Sequence, residues 1–317
     1  MSANRVACRI AVLSGGDSPE RRISLQSGRA VASALSAAGN SVIEIDPARD
    51  GMSALTQTSV DVVFPMVHGT GGEDGTLQSA LDEIGVCYVG SGPDASALTF
   101  DKIRCQRLLH SRGIPVPESV ILAGGALLPE HHQTMKSLGL PLVVKPARQG
   151  SSIGINIIEQ FSLLRTAVHT AAGFGGDVLV EQFVPGREIT IPVIDGRAFP
   201  AVEILPAQQW YDYRSKYMDQ RTEYRVLQSS ETASWSEIAV QACEITGVAG
   251  ICRVDLRVTP DGDPRVLEIN TIPGMTDHSL VPKSAAAVGL SLAQLCEQAI
   301  EAARQRRQVH SSDKGAA

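Results

Sequence analysis

Short apolar runs and helical stripes alternate along the first 90 residues. The runs at 10–13, 42–45, 60–67 and 87–89 predict strands, and residues 23–35 carry apolar side chains at helical spacing. Ser18 followed by Pro19 predicts where that helix begins, with the serine as cap and the proline in the first helical position. Such alternation argues a parallel, doubly wound sheet.

The pattern changes near Gly90. A helix at 100–110 carries Lys102 and is stopped by Gly113 and Pro115. Strand-like runs follow at 141–145, 154–158 and 178–183, the first two separated by Arg148-Gln-Gly-Ser-Ser-Ile-Gly154. From Arg187 strands dominate, until an amphipathic helix marked by Leu292, Leu295, Cys296 and Ile300 and capped by Ser291. The length alone suggests about two domains and accommodates three small ones. We expect three: 1–90, 91–186 and 187–317, the last with a disordered tail from about 306. The fold class is α/β, passing to α+β in the later domains. No internal repeat is present.

The sharpest pattern lies near the end. Arg253-Val-Asp255 belongs to an alternating run at 251–258 and Glu268-Ile-Asn270 to another at 265–270, with Asp261-Gly262 midway. Asp-Gly between two such runs signals a hairpin. Centred there, it sets Asp255 opposite Glu268 and Arg253 opposite Asn270 on one face, with Val254, Leu256, Leu267 and Ile269 toward the core. Pro260 and Pro264 argue for a longer loop with the same centre. Opposed like charges destabilise a sheet unless something positive sits between them, and carboxylate and amide oxygens suit a hard cation such as Mg²⁺. A solvated polar face on an edge hairpin explains the same residues equally well.

Composition narrows the function. Hydrophobic residues make up 43% of the 317, ample for a sizeable core. A net charge of −6 argues against general affinity for nucleic acid or an anionic membrane. The basic cluster Arg304-Gln-Arg-Arg307 closes a helix, where the dipole favours cations. Cys8, Cys87, Cys105, Cys243, Cys252 and Cys296 are scattered, without zinc spacing, and read as free thiols of a reducing cytosol. The opening apolar run is too short for a signal peptide, and none approaches the roughly 18 residues of a membrane helix. His131-His132 reads as incidental in a polar loop. The expectation is a cytoplasmic protein.

Several segments can carry chemistry. Lys145 ends an apolar strand beside the Gly-Ser loop, where backbone amides and hydroxyls can wrap a phosphate. The spacing is not that of a Walker loop, no GxGxxG follows the first strand, and as structure alone the segment is an ordinary hairpin. Glu181 and Glu188 flank Val184 at a strand end and offer acceptors to a purine and a ribose, or are simply solvated. Gly15-Gly-Asp-Ser-Pro-Glu20 lies at a strand's carboxyl end, where doubly wound sheets bind ligands; Glu20 can take an ammonium or only offset the helix dipole. His68, in a glycine-rich turn, is a ligand contact or a satisfied structural histidine. Tyr211-Asp-Tyr-Arg-Ser-Lys-Tyr217 is too polar for a core helix and reads as a loop folding over something, bringing Lys216 and Tyr217. Pro273-Gly274 forces a turn straight after the hairpin.

In order along the chain, these motifs resemble the ATP-grasp superfamily and, within it, the D-alanine–D-alanine ligases. The resemblance rests on Gly15-Gly-Asp-Ser-Pro-Glu20, His68-Gly-x-Gly-Gly-Glu-Asp-Gly75, Asp101-Lys102, Lys145-Pro146 with Gly150-Ser151-Ser152, Tyr211-Asp-Tyr-x-x-Lys-Tyr217, Arg253-x-Asp255, Glu268-x-Asn270 and Pro273-Gly-Met-Thr-x-His-Ser279. It implies an ATP-grasp fold: a doubly wound, substrate-binding N-terminal domain, then central and C-terminal domains that clamp ATP between them. It implies that Lys102, Lys145 and Lys216 hold ATP phosphates and that Glu181, Val184 and Glu188 take adenine and ribose. Asp255, Glu268 and Asn270 would bind two Mg²⁺ (or Mn²⁺) ions. Glu20 would hold the ammonium of the first D-alanine and join Ser151 and Tyr217 in a closed lid. Arg253 and the Gly274 amide would stabilise an oxyanion, His68 would face substrate, and Ser279 with the Leu280 amide would hold the second carboxylate.

The implied reaction makes D-alanyl-D-alanine for peptidoglycan through an acyl phosphate, with D-alanine and ATP as partners, no nucleic acid, no membrane, and a homodimer by analogy. Three departures stand out: Ala147 and Gln149 in the phosphate loop, Gln182 beside the adenine residues, and Tyr224-Arg-Val-Leu after the lid. The alternatives are another ATP-grasp ligase, such as a D-alanine–D-lactate enzyme, and a catalytically idle nucleotide-binding regulator. Tyr217 argues against the first, and the intact metal ligands and lysines against the second.

Overall fold

A computed structural model describes residues 8–206 and 222–315, with side chains through 308. Its first sheet is parallel, in the order β2 (Ser41–Ile45), β1 (Arg9–Leu13), β3 (Val62–Pro65). β1 is central and buried along all but its first residue, as a strand covered on both faces must be. The run at 87–89 narrows to one bridge, Tyr88 to Val63. Helix α1 (Arg21–Ala37) buries Ile23, Ser27, Val31 and Leu35, a stripe four residues apart. It begins two residues later than Pro19 suggests. Ser18 instead accepts the Glu20 N–H at 3.2 Å and donates to the His68 carbonyl, so it braces the turn before the helix. The short helices α2 (Pro47–Asp50) and α3 (Ser53–Thr56) and the longer α4 (Thr76–Ile84) complete this region.

Helices α5 (Pro93–Phe100) and α6 (Lys102–Ser111) meet at Asp101, which caps α6 by accepting the Arg104 N–H at 3.1 Å. Helix α6 is the helix expected at 100–110, starting two residues later, and α5 is an additional helix before it. The second sheet is antiparallel: β4 (Ser119–Leu122), β7 (Val178–Gln182), β5 (Leu142–Pro146), β6 (Asn156–Ile158). Helices α7 (Pro129–Leu138) and α8 (Leu164–Ala172) cover one face through Met135, Leu138, Leu164 and Val168. His131 and His132 thus sit on a helix rather than in a loop, and the His131 Nδ1 accepts the Leu128 N–H at its start. Alternation leaves Lys145 and Glu181 on the opposite face of this sheet.

The third sheet, also antiparallel, runs β11 (Glu223–Val226), β10 (Val202–Leu205), β8 (Arg187–Ile194), β12 (Ile251–Val258), β13 (Pro264–Asn270), with β9 (Arg197–Ala198) folded back on β8. Helix α9 (Ser229–Thr246) and α6 cover one face, where Trp235, Ala239, Cys105 and Leu109 pack on Ile189, Val254 and Leu256. The β12–β13 register is the expected one, Asp255 opposite Glu268 and Arg253 opposite Asn270. A bulge after Asp255 overturns one detail. Leu256 pairs with Val266, so Val266 is buried and Leu267 only half-buried.

Helix α10 (Leu280–Ala287) precedes α11 (Leu292–Gly315), and Leu295, Cys296 and Ala299 return to pack with Val31 and Leu35 of the first sheet's layer. Ser291 caps α11 as expected, accepting the Gln294 N–H at 3.2 Å while Gln294 accepts its own. The backbone stays helical through most of the span expected to be a disordered tail. Residues 304–308 are good helix formers, and Arg306 and Arg307 reach Asp195 and the Gly85 carbonyl.

Candidate active site

A cavity of about 580 Å³ opens where the three sheets converge. Glu20 and His68 reach it from the first, Gln149 to Ser151 from the second, and Glu188, Arg253, Asp255, Glu268 and Asn270 from the third. Gly274, Ser279 and Leu280 close one side.

Glu20 is buried at the start of α1 and accepts a hydrogen bond from the Ser151 hydroxyl. That contact needs a close approach. A Cβ on Gly150 would lie 2.6 Å from Glu20 Oε2 and would push that carboxylate aside. Ser151 and Ser152 both adopt left-handed φ, 50° and 58°, which costs on the order of 1 kcal/mol each and persists because surrounding contacts fix the loop.

On the third sheet the opposed acids are each paired. Arg253 forks onto Asp255 through Nε and Nη2, both at 2.8 Å, and Thr190 on β8 donates to the same carboxylate. Glu268 meets Lys102 Nζ at 3.0 Å, and the same ammonium donates to the Gln149 carbonyl at 2.6 Å. Burial lowers the Lys102 pKa, but the Glu268 charge and hydrogen bond more than offset it, and the net shift is upward. Asn270 Oδ1 accepts the Ile272 N–H at 2.9 Å and so shapes the exit from β13. Ser279 Oγ accepts the Thr276 N–H at 3.0 Å. Leu280 begins α10, where first-turn amides point out of the helix.

Lys145, Glu181 and Val184 form a second group, outside the lining of that cavity. Lys145 Nζ pairs with Glu181 Oε2 at 2.7 Å, both buried, and Gln106 donates to the other Glu181 oxygen at 2.6 Å. The Val184 carbonyl accepts from Arg257 Nε at 3.1 Å, and Arg257 also pairs with Glu188 at 3.3 Å. Lys216 and Tyr217 lie outside the described residues. No three His, Cys, Asp or Glu side chains cluster as metal ligands among the described residues. Asp255, Glu268 and the Asn270 amide are nevertheless an oxygen-only donor set suited to a hard divalent cation, completed by ligand oxygens. Where an added cation would supply positive charge, Arg253 and Lys102 already supply it.

Four polar residues escaped the sequence reading: Ser27, Glu73, Gln106 and Thr190. The signal for Ser27 was a serine inside the apolar stripe of α1, and for Thr190 a threonine within an apolar strand. Glu73 lies in the glycine-rich turn that follows His68, and Gln106 carries no signal beyond its helix.

Two helix-backed antiparallel sheets beside a doubly wound domain, with buried lysines and opposed carboxylates between them, define the ATP-grasp class. The comparisons narrow it. A family profile described as "D-ala D-ala ligase C-terminus" matches residues 108–301, and one described as "D-ala D-ala ligase N-terminus" matches 46–91. A D-alanine–D-alanine ligase of Ectopseudomonas mendocina is 42% identical over 290 residues, covering 90% of this chain and 92% of that one. The crystal structure of the Bacillus anthracis D-alanine–D-alanine ligase superposes with a TM-score of 0.86 at 31% identity, over 96% of this chain and all of that one. The same enzyme complexed with ATP superposes at 0.84 and 29% identity, over 96% of this chain and 100% of that one. The chain belongs to the D-alanine–D-alanine ligase family.

Proposed function

We propose that this chain joins two D-alanines into D-alanyl-D-alanine for peptidoglycan synthesis, converting ATP to ADP and phosphate. The observation that carries this reading is one cavity gathering Glu20, Lys102, Arg253, the opposed Asp255 and Glu268, and the Gly274–Ser279 turn. Glu20 receives the ammonium of the first D-alanine beside the backbone and Ser151. The substrate carboxylate attacks the γ-phosphorus of ATP, giving an acyl phosphate and ADP. Lys102, Lys145 and Lys216 neutralise phosphate charge, and Glu181, Val184 and Glu188 take adenine and ribose. Two Mg²⁺ or Mn²⁺ ions held by Asp255, Glu268 and Asn270 add charge neutralisation at the phosphates.

The Ser279 hydroxyl and Leu280 amide hold the second carboxylate. Its amine, having lost a proton, attacks the acyl carbon; Arg253 and the Gly274 N–H hold the oxyanion, whose collapse expels phosphate. Enclosure protects the acyl phosphate from water. Domains at 1–90, 91–186 and 187–317 follow the three sheets, with α6 and α11 each packing on a neighbouring domain. Among the described residues no helix is long and apolar enough to cross a membrane, and six buried cysteines outside any disulfide fit a reducing cytoplasm. We take the functional unit as a homodimer through the first domain.

The test is a phosphate-release screen across D-amino acids and D-hydroxy acids, with products identified by mass. D-Alanine alone should yield ADP and the dipeptide. A depsipeptide as the main product at neutral pH would overturn the substrate assignment, and ATP left unturned with every acceptor would overturn the ligase reading.

A further inference from the structure

The helix α1 residue Ser27 is completely buried, and three segments far apart in sequence meet at its hydroxyl. Met275 N–H, 248 residues away, donates to it at 3.2 Å. His68 Nε2 lies 3.3 Å from the same oxygen. The other ring nitrogen, Nδ1, lies 3.5 Å from Glu73 Oε1, which also accepts the Gly69 N–H at 3.1 Å. His68 and Glu73 are themselves buried, 4% and 7% exposed, and both line the cavity.

The proton positions follow from the partners. Glu73 is already accepting from Gly69, so the ring presents Nδ1–H to it rather than a lone pair. A neutral ring then offers a lone pair at Nε2, which the Ser27 O–H fills. That leaves the Ser27 oxygen to accept from Met275. The hydrogen bonds then run in one direction, Met275 to Ser27 to His68, with Nδ1–H facing the Glu73 carboxylate.

We propose that Ser27 is a positioning residue for the ligation step, acting through the Gly274–Met275 peptide; this rests on the function proposed above. The Met275 N–H and Gly274 carbonyl share one peptide plane, so holding the first restrains the peptide next to the one that carries the Gly274 N–H. Gly274 N–H is the proposed oxyanion donor, and such donors work only when aimed before the charge develops. His68 acts here through Ser27, with both ring nitrogens engaged inside the protein. The wiring links the glycine-rich turn of the first sheet to the loop leaving the metal-type strand, so both substrate walls keep a fixed separation.

The experiment pairs kinetics with nitrogen NMR on histidine-labelled protein, the His68 signal assigned against His68→Gln. In the unaltered protein at neutral pH, His68 should show a protonated Nδ1 and an unprotonated Nε2. Ser27→Ala should shift the Nε2 signal, lower kcat about tenfold, and leave the KM for ATP within about twofold. A ring protonated at Nε2 or at both nitrogens in the unaltered protein would overturn the wiring, even if Ser27→Ala fails to fold. A folded Ser27→Ala with normal kcat and only a lower melting temperature would reduce Ser27 to a packing residue. The unaltered protein making dipeptide and ADP in the same assay is the control; its failure would remove the functional reading, whereas the NMR result tests the wiring alone.

Discussion

Asp255 and Glu268 occupy directly paired positions on β12 and β13, and each is held by a different cation, the Arg253 guanidinium on one and the Lys102 ammonium on the other. Opposed carboxylates on neighbouring strands repel, and the two cations come from different places: one from the same strand, one from helix α6. The pairing therefore couples the third sheet to α6 and, through the Lys102 bond to the Gln149 carbonyl, to the phosphate loop of the second sheet.

Removing one charge of that pair tests the metal reading. Glu268→Gln keeps the shape and a hydrogen-bonding oxygen but lowers the charge available to a divalent cation. Turnover should fall by roughly a hundredfold or more, and Mg²⁺-dependent ATP binding should weaken, with the fold intact by circular dichroism. Calorimetric titration of ATP with and without Mg²⁺ measures the second effect. Full activity at low Mg²⁺ would rule out a metal role for this carboxylate.

The Glu20–Ser151 bond tests a different function, retention of the activated intermediate. Ser151→Ala removes the hydroxyl that Glu20 accepts and relaxes a loop held in left-handed backbone. The expected result is slower dipeptide formation with a larger share of ATP hydrolysed without product, because water reaches the acyl phosphate. The ratio of ADP to dipeptide checks it. An unchanged ratio would leave the bond structural only.

Much of this site was legible because strands repeat every two residues. The alternation around Asp261-Gly262 set Asp255 against Glu268 without any tertiary knowledge, and the register agrees. Leu267 escaped because its bulge answers to distant partners. The Gln106 amide donates to the Leu267 carbonyl at 3.2 Å, and Val266 N–H bonds the Pro115 carbonyl at 2.8 Å. Lys145 was legible as a strand-end ammonium suited to a phosphate; that Glu181 pairs with it depended on strand pairing across 36 residues, which no local pattern encodes. Ser27 was invisible for the same reason, since a lone serine in a helix stripe says nothing of a partner 248 residues away.

Outside the cavity, Glu203 on β10 accepts from Arg187 at 2.8 Å and from Arg225 on the edge strand β11. Burial raises its pKa, but the two guanidinium hydrogen bonds outweigh that and hold it below its ordinary 4.5. A depressed carboxylate pKa adds stability that is complete above the unfolded value and lost as pH falls through the folded one. Glu203→Gln should therefore destabilise the protein by about 1 kcal/mol at neutral pH, since the arginines are partly exposed. That deficit should shrink below about pH 4.5 and vanish in stronger acid. Urea melts of both proteins from neutral pH downward measure it; a deficit independent of pH would assign the loss to packing.

Gly274 offers the most direct test of the second substrate position. A Cβ built there would stand 2.9 Å from Ser279 Oγ, closer than such atoms come. Ser279 has a short side chain already bonded to the Thr276 N–H and, at 2.9 Å, to its hydroxyl, so it yields only by giving up those bonds. The backbone at 274 has no left-handed φ, so alanine adds a steric demand without backbone strain. Gly274→Ala should therefore fold and bind ATP normally. Because the displaced hydroxyl is the one proposed to hold the second carboxylate, the KM of the second D-alanine should rise by about tenfold or more. Ser279→Ala should raise the same constant, and the double variant should add little to either, because both act on one hydroxyl. Initial rates at varied D-alanine with ATP saturating resolve the two substrate constants. Independent, multiplying effects of the two substitutions would place the second carboxylate elsewhere.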